Sequence, residues 1–148
     1  NTGQAVITDI GEAFDIHPRN KQDVGYRLAL IALNKTYGQG DIYSGPTLLK
    51  AEKSGNRYIV TFDNIGSGLG TTNKYGYIEG FTVAGPDREF HWAKAWIQGD
   101  KVIVSSEAVD NPIAVRYNWA NNPDGNLFNS DGLPAAPFRT DDWPGITQ

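Results

Sequence analysis

The chain of 148 residues contains no cysteine and no methionine, and it has only two histidines. Without cysteine it can form neither a disulfide framework nor a thiolate metal site. No apolar run approaches the ~20 residues that a membrane-spanning helix needs, and no charged-then-apolar signal peptide opens the chain. The net charge of -4 and the pI near 5.0 offer no basic surface to nucleic acid or anionic membranes. We find no metal-ligand spacing and therefore predict no metal, no cofactor, and neither nucleic acid nor a membrane as a partner.

Residues 20–37 form the helix that the sequence predicts most clearly. Asn20 is a favourable N-cap, Asp23 completes a start that resembles a capping box, and Gly38 stands where a left-handed C-cap belongs. Two stripes of apolar residues run along this helix, which indicates that it is covered on more than one side, either by the rest of the chain or by the same helix of a second copy. One stripe contains Val24, Leu28, Ile31 and Ala32, and the other contains Tyr26, Leu30, Leu33 and Tyr37.

From about residue 47 the pattern changes to short strands separated by turn residues. The segments TLLKAE and RYIVTF flank KSGN and predict a hairpin, with Tyr58, Val60 and Phe62 on one face. The segments YIEGFTVAG, EFHWAKAWI, KVIVSS and PIAVRYNW predict further strands. This spacing is typical of a β-sandwich or jelly-roll-like region, so we predict a mostly β fold with one helix, of the α+β class.

Large side chains outside the hairpin are also expected to pack. Phe90, Trp92 and Trp96 share one face of the EFHWAKAWI strand, which predicts that they belong to the core, whereas Trp119 and Trp143 lie near loops and could pack inward or stack on a sugar. The last 29 residues contain four prolines and no sustained period, yet they are too apolar for a solvated tail. We expect this tail to be ordered and to pack through Leu127, Phe128, Leu133, Phe138 and Trp143.

The segment FDIHP, residues 14–18, carries the most suggestive chemistry. A histidine that acts as a general base needs a partner that holds its second nitrogen in the right tautomer, and a carboxylate often has this role. Asp15 lies two residues before His17, and residues i and i+2 of an extended segment project to the same side. The alternative interpretation is a loop histidine near a helix N-terminus beside a solvated turn aspartate.

A nucleophile for this pair would have to be Ser or Thr, because cysteine is absent. None of the six serines lies in G-x-S-x-G or in a Gly-Asp-Ser turn. Ser67, in NIGSGLG, is the strongest candidate, although its glycine-rich setting is also typical of a turn between strands. His91 lies between Phe90 and Trp92 in a predicted strand, which favours a structural role. The residues alone therefore identify only part of a catalytic site.

Several segments resemble the sialate O-acetylesterases, carbohydrate esterases of the SGNH (GDSL-type) hydrolase group. They are DIGEAFDIHPRNKQDVGYRLALIAL, VTFDNIGSGL, GFTVAGPDREFHWAKAWIQGDKVIVSS and NPIAVRYNWANNPDGNLFNSDGLPAAPFRTDDW, and together they cover nearly the whole chain in order. The resemblance implies the C-terminal portion of such an enzyme. Residues 1–38 would be the last loop and helix of the SGNH α/β hydrolase domain, 39–119 a β-sandwich-like domain, and 120–148 an irregular Pro-rich tail packed on the rest.

The resemblance further implies a Ser-His(-Asp) enzyme that removes acetyl groups from sugar hydroxyls through an acetyl-enzyme. The DIHP block supplies the catalytic histidine, which is His17 here. The blocks with the nucleophilic Ser and the oxyanion-hole Gly and Asn have no counterpart in this chain. Because the chain begins at Asn1 and contains no methionine, we expect those blocks upstream and expect the chain alone to be inactive.

The orienting acid departs from the usual spacing of the group, which places it three residues before the histidine. That position is Phe14 here, and Asp15 lies only two residues before His17. We name Asp15 as the orienting acid, with Asp9, Glu12 or a backbone carbonyl as alternatives.

Two other interpretations compete with an enzyme portion. The chain could be a non-catalytic carbohydrate-binding β-sandwich with exposed Trp and Tyr, or a support domain, although the latter does not account for DIHP. The expected partners are an O-acetylated sugar, the missing N-terminal catalytic portion, and a second copy that self-associates through helix 20–37. Resemblance to exported enzymes implies a periplasmic or secreted location.

Overall fold

Eleven strands and one helix build the computed structural model, which describes residues 2–145. This confirms the predicted mostly β, α+β fold class. Within these residues no helix has both the length and the apolar character needed to cross a bilayer. The elements are α1 (Lys21–Tyr37), β1 (Thr47–Ser54), β2 (Arg57–Asp63), β3 (Leu69–Thr71), β4 (Tyr77–Ile78), β5 (Phe81–Ala84), β6 (Phe90–Trp92), β7 (Lys94–Gln98), β8 (Lys101–Ser105), β9 (Ala114–Tyr117), β10 (Leu127–Asn129) and β11 (Phe138–Arg139).

Two antiparallel sheets enclose the core, in a sandwich-like arrangement. The five-stranded sheet has the order β1-β2-β8-β7-β4, and the four-stranded sheet has the order β11-β9-β5-β6. Strands β3 and β10 form a separate pair. Along β2, buried residues alternate with more exposed ones, and the core residues of β5, β8 and β9 are likewise two apart, so one face of each sheet lines the core. The core contains Tyr58, Val60, Phe62, Val102 and Val104 from the first sheet and Phe81, Val83, Val115, Tyr117 and Phe138 from the second.

The predicted β1–β2 hairpin is confirmed, and Tyr58, Val60 and Phe62 are all buried. Strand β1 forms one edge of its sheet. Its register shifts between Leu48 and Lys50, which marks a β-bulge. Beyond the bulge, the charged side chains of this strand are exposed, and Lys50 and Glu52 form an ion pair of 2.8 Å.

Helix α1 begins and ends where its sequence signals predict. The Asn20 side chain accepts a hydrogen bond from the backbone N–H of Asp23 at 3.1 Å, and Gly38 adopts a left-handed φ of 65°. Only one side of the helix is buried, and its most buried residues are Arg27 and Ile31. Within residues 2–145 the chain itself therefore does not provide the predicted cover on a second side, and cover by a second copy stays a prediction. The large exposed side chains of the helix are Tyr26, Leu28, Leu33 and Tyr37.

The prediction that Phe90, Trp92 and Trp96 share a core-facing side is also wrong. The chain leaves the four-stranded sheet after β6 and joins the five-stranded sheet as β7, with Ala93 between the two strands. Trp92 is 77% exposed. Phe90 is half-buried on the same outer side of β6, and Trp96 lies in the other sheet. The alternation of large side chains continues from β6 into β7, but the two strands belong to different sheets.

The C-terminal residues 120–145 pack closely against the sandwich. Strand β10 pairs with β3, and β11 extends the four-stranded sheet. Leu127, Leu133 and Phe138 are buried, whereas Phe128 and Trp143 are half-buried. Asn1 and residues 146–148, which belong to the predicted N-terminal unit and tail, lie outside the described residues.

Gly45 provides a test of the contact between the loop after α1 and the C-terminal residues. A Cβ atom at this position would meet the backbone carbonyl of Pro134 and would lie 2.7 Å from the carbonyl oxygen of Leu133. Because backbone must move to admit it, Gly45→Ala is expected to lower the free energy of unfolding by about 1–3 kcal/mol. Urea unfolding of the full chain, followed by circular dichroism, measures this change.

Gly25→Ala is the matched control for that substitution. Gly25 lies in α1, and a Cβ there would meet nothing within 4 Å. This variant should be more stable by up to ~1 kcal/mol, because alanine favours helix more than glycine does. Equal effects of the two substitutions would contradict the close approach at Gly45.

Candidate active site

His17 lies in the loop directly before α1, and its side chain is 84% exposed. The backbone N–H of His17 donates a hydrogen bond of 2.8 Å to Oδ1 of Asp15. The same carboxylate oxygen lies 3.8 Å from Nδ1 of the imidazole, which is longer than a hydrogen bond. Asp15 is therefore beside the ring and anchored to the histidine backbone. This arrangement leaves Nε2 of His17 facing away from the Asp15 contact.

The alternative orienting acids are engaged elsewhere. Glu12 accepts a hydrogen bond of 2.8 Å from the backbone N–H of Arg19 and pairs with its guanidinium at 3.1 Å. Asp9 forms a two-pronged ion pair with Arg27, with N–O distances of 2.6 and 2.7 Å. Of the three acids named from the sequence, Asp15 is the one that the structure brings to His17.

The Glu12 and Asp9 contacts hold the two ends of the loop. The Arg19–Glu12 pair closes the exposed turn across residues 12–19. Arg27 reaches from α1 to Asp9 and also donates to the carbonyl oxygen of Val6 at 2.7 Å. Its side chain is only 9% exposed and that of Asp9 only 14%. The Asp9 hydrogen bond is the leading cause that raises the pKa of Arg27 above its ordinary value. The helix thereby fixes the segment that leads into the His17 loop.

Ser67 does not supply a nucleophile to this loop. Its hydroxyl donates to Oγ of Ser130 at 2.8 Å, and its backbone N–H donates to the same oxygen. Within residues 2–145, no Ser or Thr hydroxyl is hydrogen-bonded to the imidazole of His17. The described residues therefore hold a candidate base and its carboxylate without a nucleophile beside them.

The apolar neighbours of His17 point into solvent. The relative exposure of Phe14 is 105% and that of Ile16 is 90%. Two large apolar side chains next to the candidate base in sequence are therefore left uncovered within the described residues. Exposed patches of this kind often mark contact sites for another part of a protein or for a ligand.

Two further features lie away from the His17 loop. A cavity of about 470 Å³ is bordered by Asp41, Ile42, Ser44 and residues 62–66, and neither His17 nor Asp15 lines it. Asp87, Glu89 and His91 each place one ligand atom within 4.8 Å of the others. The sequence analysis does not predict this cluster, which forms where the turn at Asp87 and Arg88 leads into β6. Its two carboxylates are exposed, as surface carboxylates usually are, and we assign it no function.

The chain is similar to a carbohydrate acetylesterase from Xanthomonas citri. The crystal structure of that enzyme superposes with a TM-score of 0.90 and is 52% identical in sequence. The match covers 95% of this chain and 33% of the acetylesterase. No protein-family model matches the chain, and a search of curated proteins found no match.

The match to the acetylesterase supports a carbohydrate-esterase relationship for nearly the whole chain. At this identity and TM-score, the matching third of the acetylesterase has the same fold as this chain. The chain spans about a third of the length of the acetylesterase. The activity of a complete protein, its substrate and its partners are therefore matters for the proposal below.

Sequence reasoning missed two parts of this site. The first is the Arg27–Asp9 pair, which joins residues 18 positions apart. One signal was present: Arg27 lies four residues before Ile31 and so shares the helix face of an apolar residue. The exposure of Phe14 and Ile16 was also missed, because a pattern of apolar residues does not reveal which of them remain uncovered.

Proposed function

We propose that the chain is the C-terminal portion of a carbohydrate O-acetylesterase of the sialate type, an enzyme that removes acetyl groups from sugar hydroxyls. His17 is the general base, Asp15 orients it, and the serine nucleophile and oxyanion hole lie outside residues 2–145. The observation that carries this proposal is the 52% identity with a carbohydrate acetylesterase over 95% of the chain. The placement of Asp15 beside the exposed His17 supports it.

The proposed reaction needs one base that works twice. His17 accepts the proton of the serine hydroxyl as the serine oxygen attacks the acetyl carbonyl. The tetrahedral intermediate then expels the sugar oxygen, which receives that proton from His17, and an acetyl-serine remains. Water attacks the acetyl-serine while His17 takes one of its protons. The second tetrahedral intermediate then expels the serine oxygen, which receives that proton from His17, and acetic acid leaves. In each step Asp15 stabilises the charged imidazole.

The geometry around His17 is compatible with this role. Hydrogen bonds of catalytic groups are often long before substrate binds and shorten in the reacting complex. The Asp15 oxygen, now 3.8 Å from Nδ1 of His17, needs to move by about 1 Å to form one. The opposite ring nitrogen, Nε2, would then face the serine.

The exposed apolar side chains support the proposal that a catalytic portion covers this side of the molecule. Phe14 and Ile16 flank the base, and Tyr26, Leu33 and Tyr37 form an exposed stripe along α1. Burying a large apolar side chain completely is worth ~1.5–3 kcal/mol. Contact with the portion that bears the serine would recover this energy and would position His17 at the same time.

A serine-reactive fluorophosphonate tests the location of the nucleophile. The complete enzyme, including the part equivalent to the rest of the acetylesterase, should be labelled on one serine outside residues 2–145. The 148-residue chain alone should remain unlabelled and should not hydrolyse p-nitrophenyl acetate above background. Peptide mapping by mass spectrometry identifies the labelled serine.

Ser67→Ala serves as the control for this experiment. It should leave labelling of the complete enzyme unchanged, since Ser67 is bonded to Ser130 and not to His17. Labelling of Ser67, or saturable turnover by the chain alone that disappears in Ser67→Ala, would make Ser67 the nucleophile and overturn the proposed division of the site.

A further inference from the structure

The outer face of the four-stranded sheet carries a row of aromatic and cationic side chains. Phe81 and Val83 of β5 point into the core, so Thr82 between them points outward. Thr82 pairs with Trp92 on one side and with Arg116 on the other, and Arg116 pairs in turn with Arg139. Directly paired residues share one face of a sheet. We call this set the outer row; it consists of Trp92, Thr82, Arg116 and Arg139.

Flat indole surfaces lie at both ends of the outer row. Trp92, on edge strand β6, is 77% exposed. Trp119 is 51% exposed, and its ring centroid lies 5.3 Å from the guanidinium carbon of Arg139 on the opposite edge strand. Because neighbouring strands are ~4.8 Å apart, β6 and β11 are separated by about 14 Å. Two exposed tryptophans thus border the face, and between them Trp143 packs against Phe90 and Arg116 is 19% exposed.

The arginines of the outer row are held in fixed positions. Arg116 donates to both oxygens of Asp141, at 2.6 and 2.7 Å, and its guanidinium lies 3.8 Å above the centroid of Phe90. Arg139 donates from Nη1 to the carbonyl oxygen of Trp143 at 3.1 Å. The Asp141 side chain is only 1% exposed. Groups that are already ordered lose less entropy when a ligand binds.

The charge on this face differs in sign from that of the whole protein. Arg116, Arg139 and also Arg88, which lies 5.3 Å from the Trp143 centroid, converge on one side of the sheet. The carboxylate in this network is Asp141, which also lies 3.8 Å from Nη1 of Arg139, and its hydrogen bonds to Arg116 are the main cause that lowers its pKa below the ordinary value. A positive platform on a chain of net charge -4 is complementary to an anion.

We propose that the outer row binds an acidic glycan, with pyranose rings stacked on Trp92 and Trp119 and a sugar carboxylate paired with Arg139. The C–H face of a pyranose is apolar and matches an exposed indole, while its hydroxyls remain in water. A guanidinium pairs with a carboxylate through two parallel hydrogen bonds. This inference goes beyond the proposed ester hydrolysis, because binding here requires no turnover at His17.

Isothermal titration of the full chain with an oligogalacturonide, a chain of pyranose carboxylates, tests this site. A neutral cellulose-derived oligosaccharide of equal length is the comparison. We expect saturable binding of the acidic chain, at least tenfold weaker binding of the neutral one, and weakening by salt. Trp92→Ala and Arg139→Gln should each reduce the affinity for the acidic chain by about tenfold or more.

Tyr75→Ala is the matched control, because Tyr75 is an equally accessible aromatic residue, 71% exposed, that precedes β4 of the other sheet. The affinity of the Tyr75→Ala variant for the oligogalacturonide should equal that of the unsubstituted chain. Circular dichroism establishes that each variant is folded, and Trp92→Ala should fold normally because its ring is mostly in solvent.

Three outcomes would overturn the proposal. The first is an absence of binding to the acidic chain, and the second is equal binding of acidic and neutral chains. The third is binding by the chain alone that the complete enzyme lacks, since the outer row would then be a contact surface for the rest of the polypeptide. Each of these results leaves the His17 chemistry to its own serine-labelling test.

Discussion

Replacing His17 by alanine in the complete enzyme is expected to lower kcat for an O-acetylated sugar by at least about 10³-fold. Without a base, the serine hydroxyl keeps its proton during attack on the carbonyl, and the sugar oxygen must leave without one. The His17 side chain is 84% exposed within the described residues and so contributes little to their packing, and the fold should be retained. Steady-state kinetics and thermal unfolding of the variant measure the two effects separately.

His91→Ala is the control for the loss of a histidine, since His91 lies in β6, outside the proposed reaction. It should change kcat by less than about twofold. Asp15→Asn should cost less than His17→Ala, because an asparagine oxygen can still accept the backbone N–H of His17. Equal losses in Asp15→Asn and His17→Ala would show that the carboxylate is the sole partner of the imidazole. Full activity of His17→Ala would remove this loop from the reaction.

Arg27→Met is expected to lower the free energy of unfolding of the full chain by about 3 kcal/mol. Methionine fills the space of the arginine stem, so the loss isolates the charge and its hydrogen bonds. Asp9 would be left as a buried carboxylate without its cation, and the carbonyl oxygen of Val6 would lose its donor. Urea unfolding monitored by the helical circular dichroism signal gives the change.

Arg19→Met provides the comparison at an exposed ion pair. Arg19 is 90% exposed and Glu12 is 29% exposed, and exposed pairs are worth ~0–1 kcal/mol. The difference between the two variants therefore measures the effect of burial. If Arg27→Met were as stable as Arg19→Met, the Asp9 pair would not be what holds α1 to the N-terminal segment.

Local signals account for the parts of the fold that the sequence predicts well. The limits of α1 follow from the Asn20 cap and the left-handed Gly38, both of which act within a few residues. The β1–β2 hairpin likewise follows from alternation on both sides of a tight turn. These features are set by neighbours along the chain and need no knowledge of the remaining fold.

Features that depend on distant partners were predicted poorly. At Ala93 the chain passes from one sheet to the other, and the apolar alternation on both sides of it hides the change. The alternation consequently predicts a core position for Trp92, which is exposed. Arg27 is buried because Asp9 lies in the right place, which no pattern within the helix can indicate.

In the candidate site, too, some features follow from neighbouring residues and others do not. The spacing of Asp15 and His17 predicts that they lie close together, and the structure places them side by side. It does not predict that Asp15 bonds to the backbone N–H, because that choice depends on the curl of the loop. The roles of His17 and Asp15 in catalysis remain predictions.

The unequal lengths of the sheet edges determine how another polypeptide can join this molecule. Three of the four edges of the two larger sheets are strands of only two or three residues, namely β4, β6 and β11. The long edge is β1, where the bulge and the row of lysine and glutamate side chains oppose strand addition. Backbone-to-backbone extension of a sheet is thereby disfavoured, for fibrils as well as for partners. Association through side chains is favoured instead, and within the described residues the exposed stripe of α1, together with Phe14 and Ile16, offers an apolar surface for it.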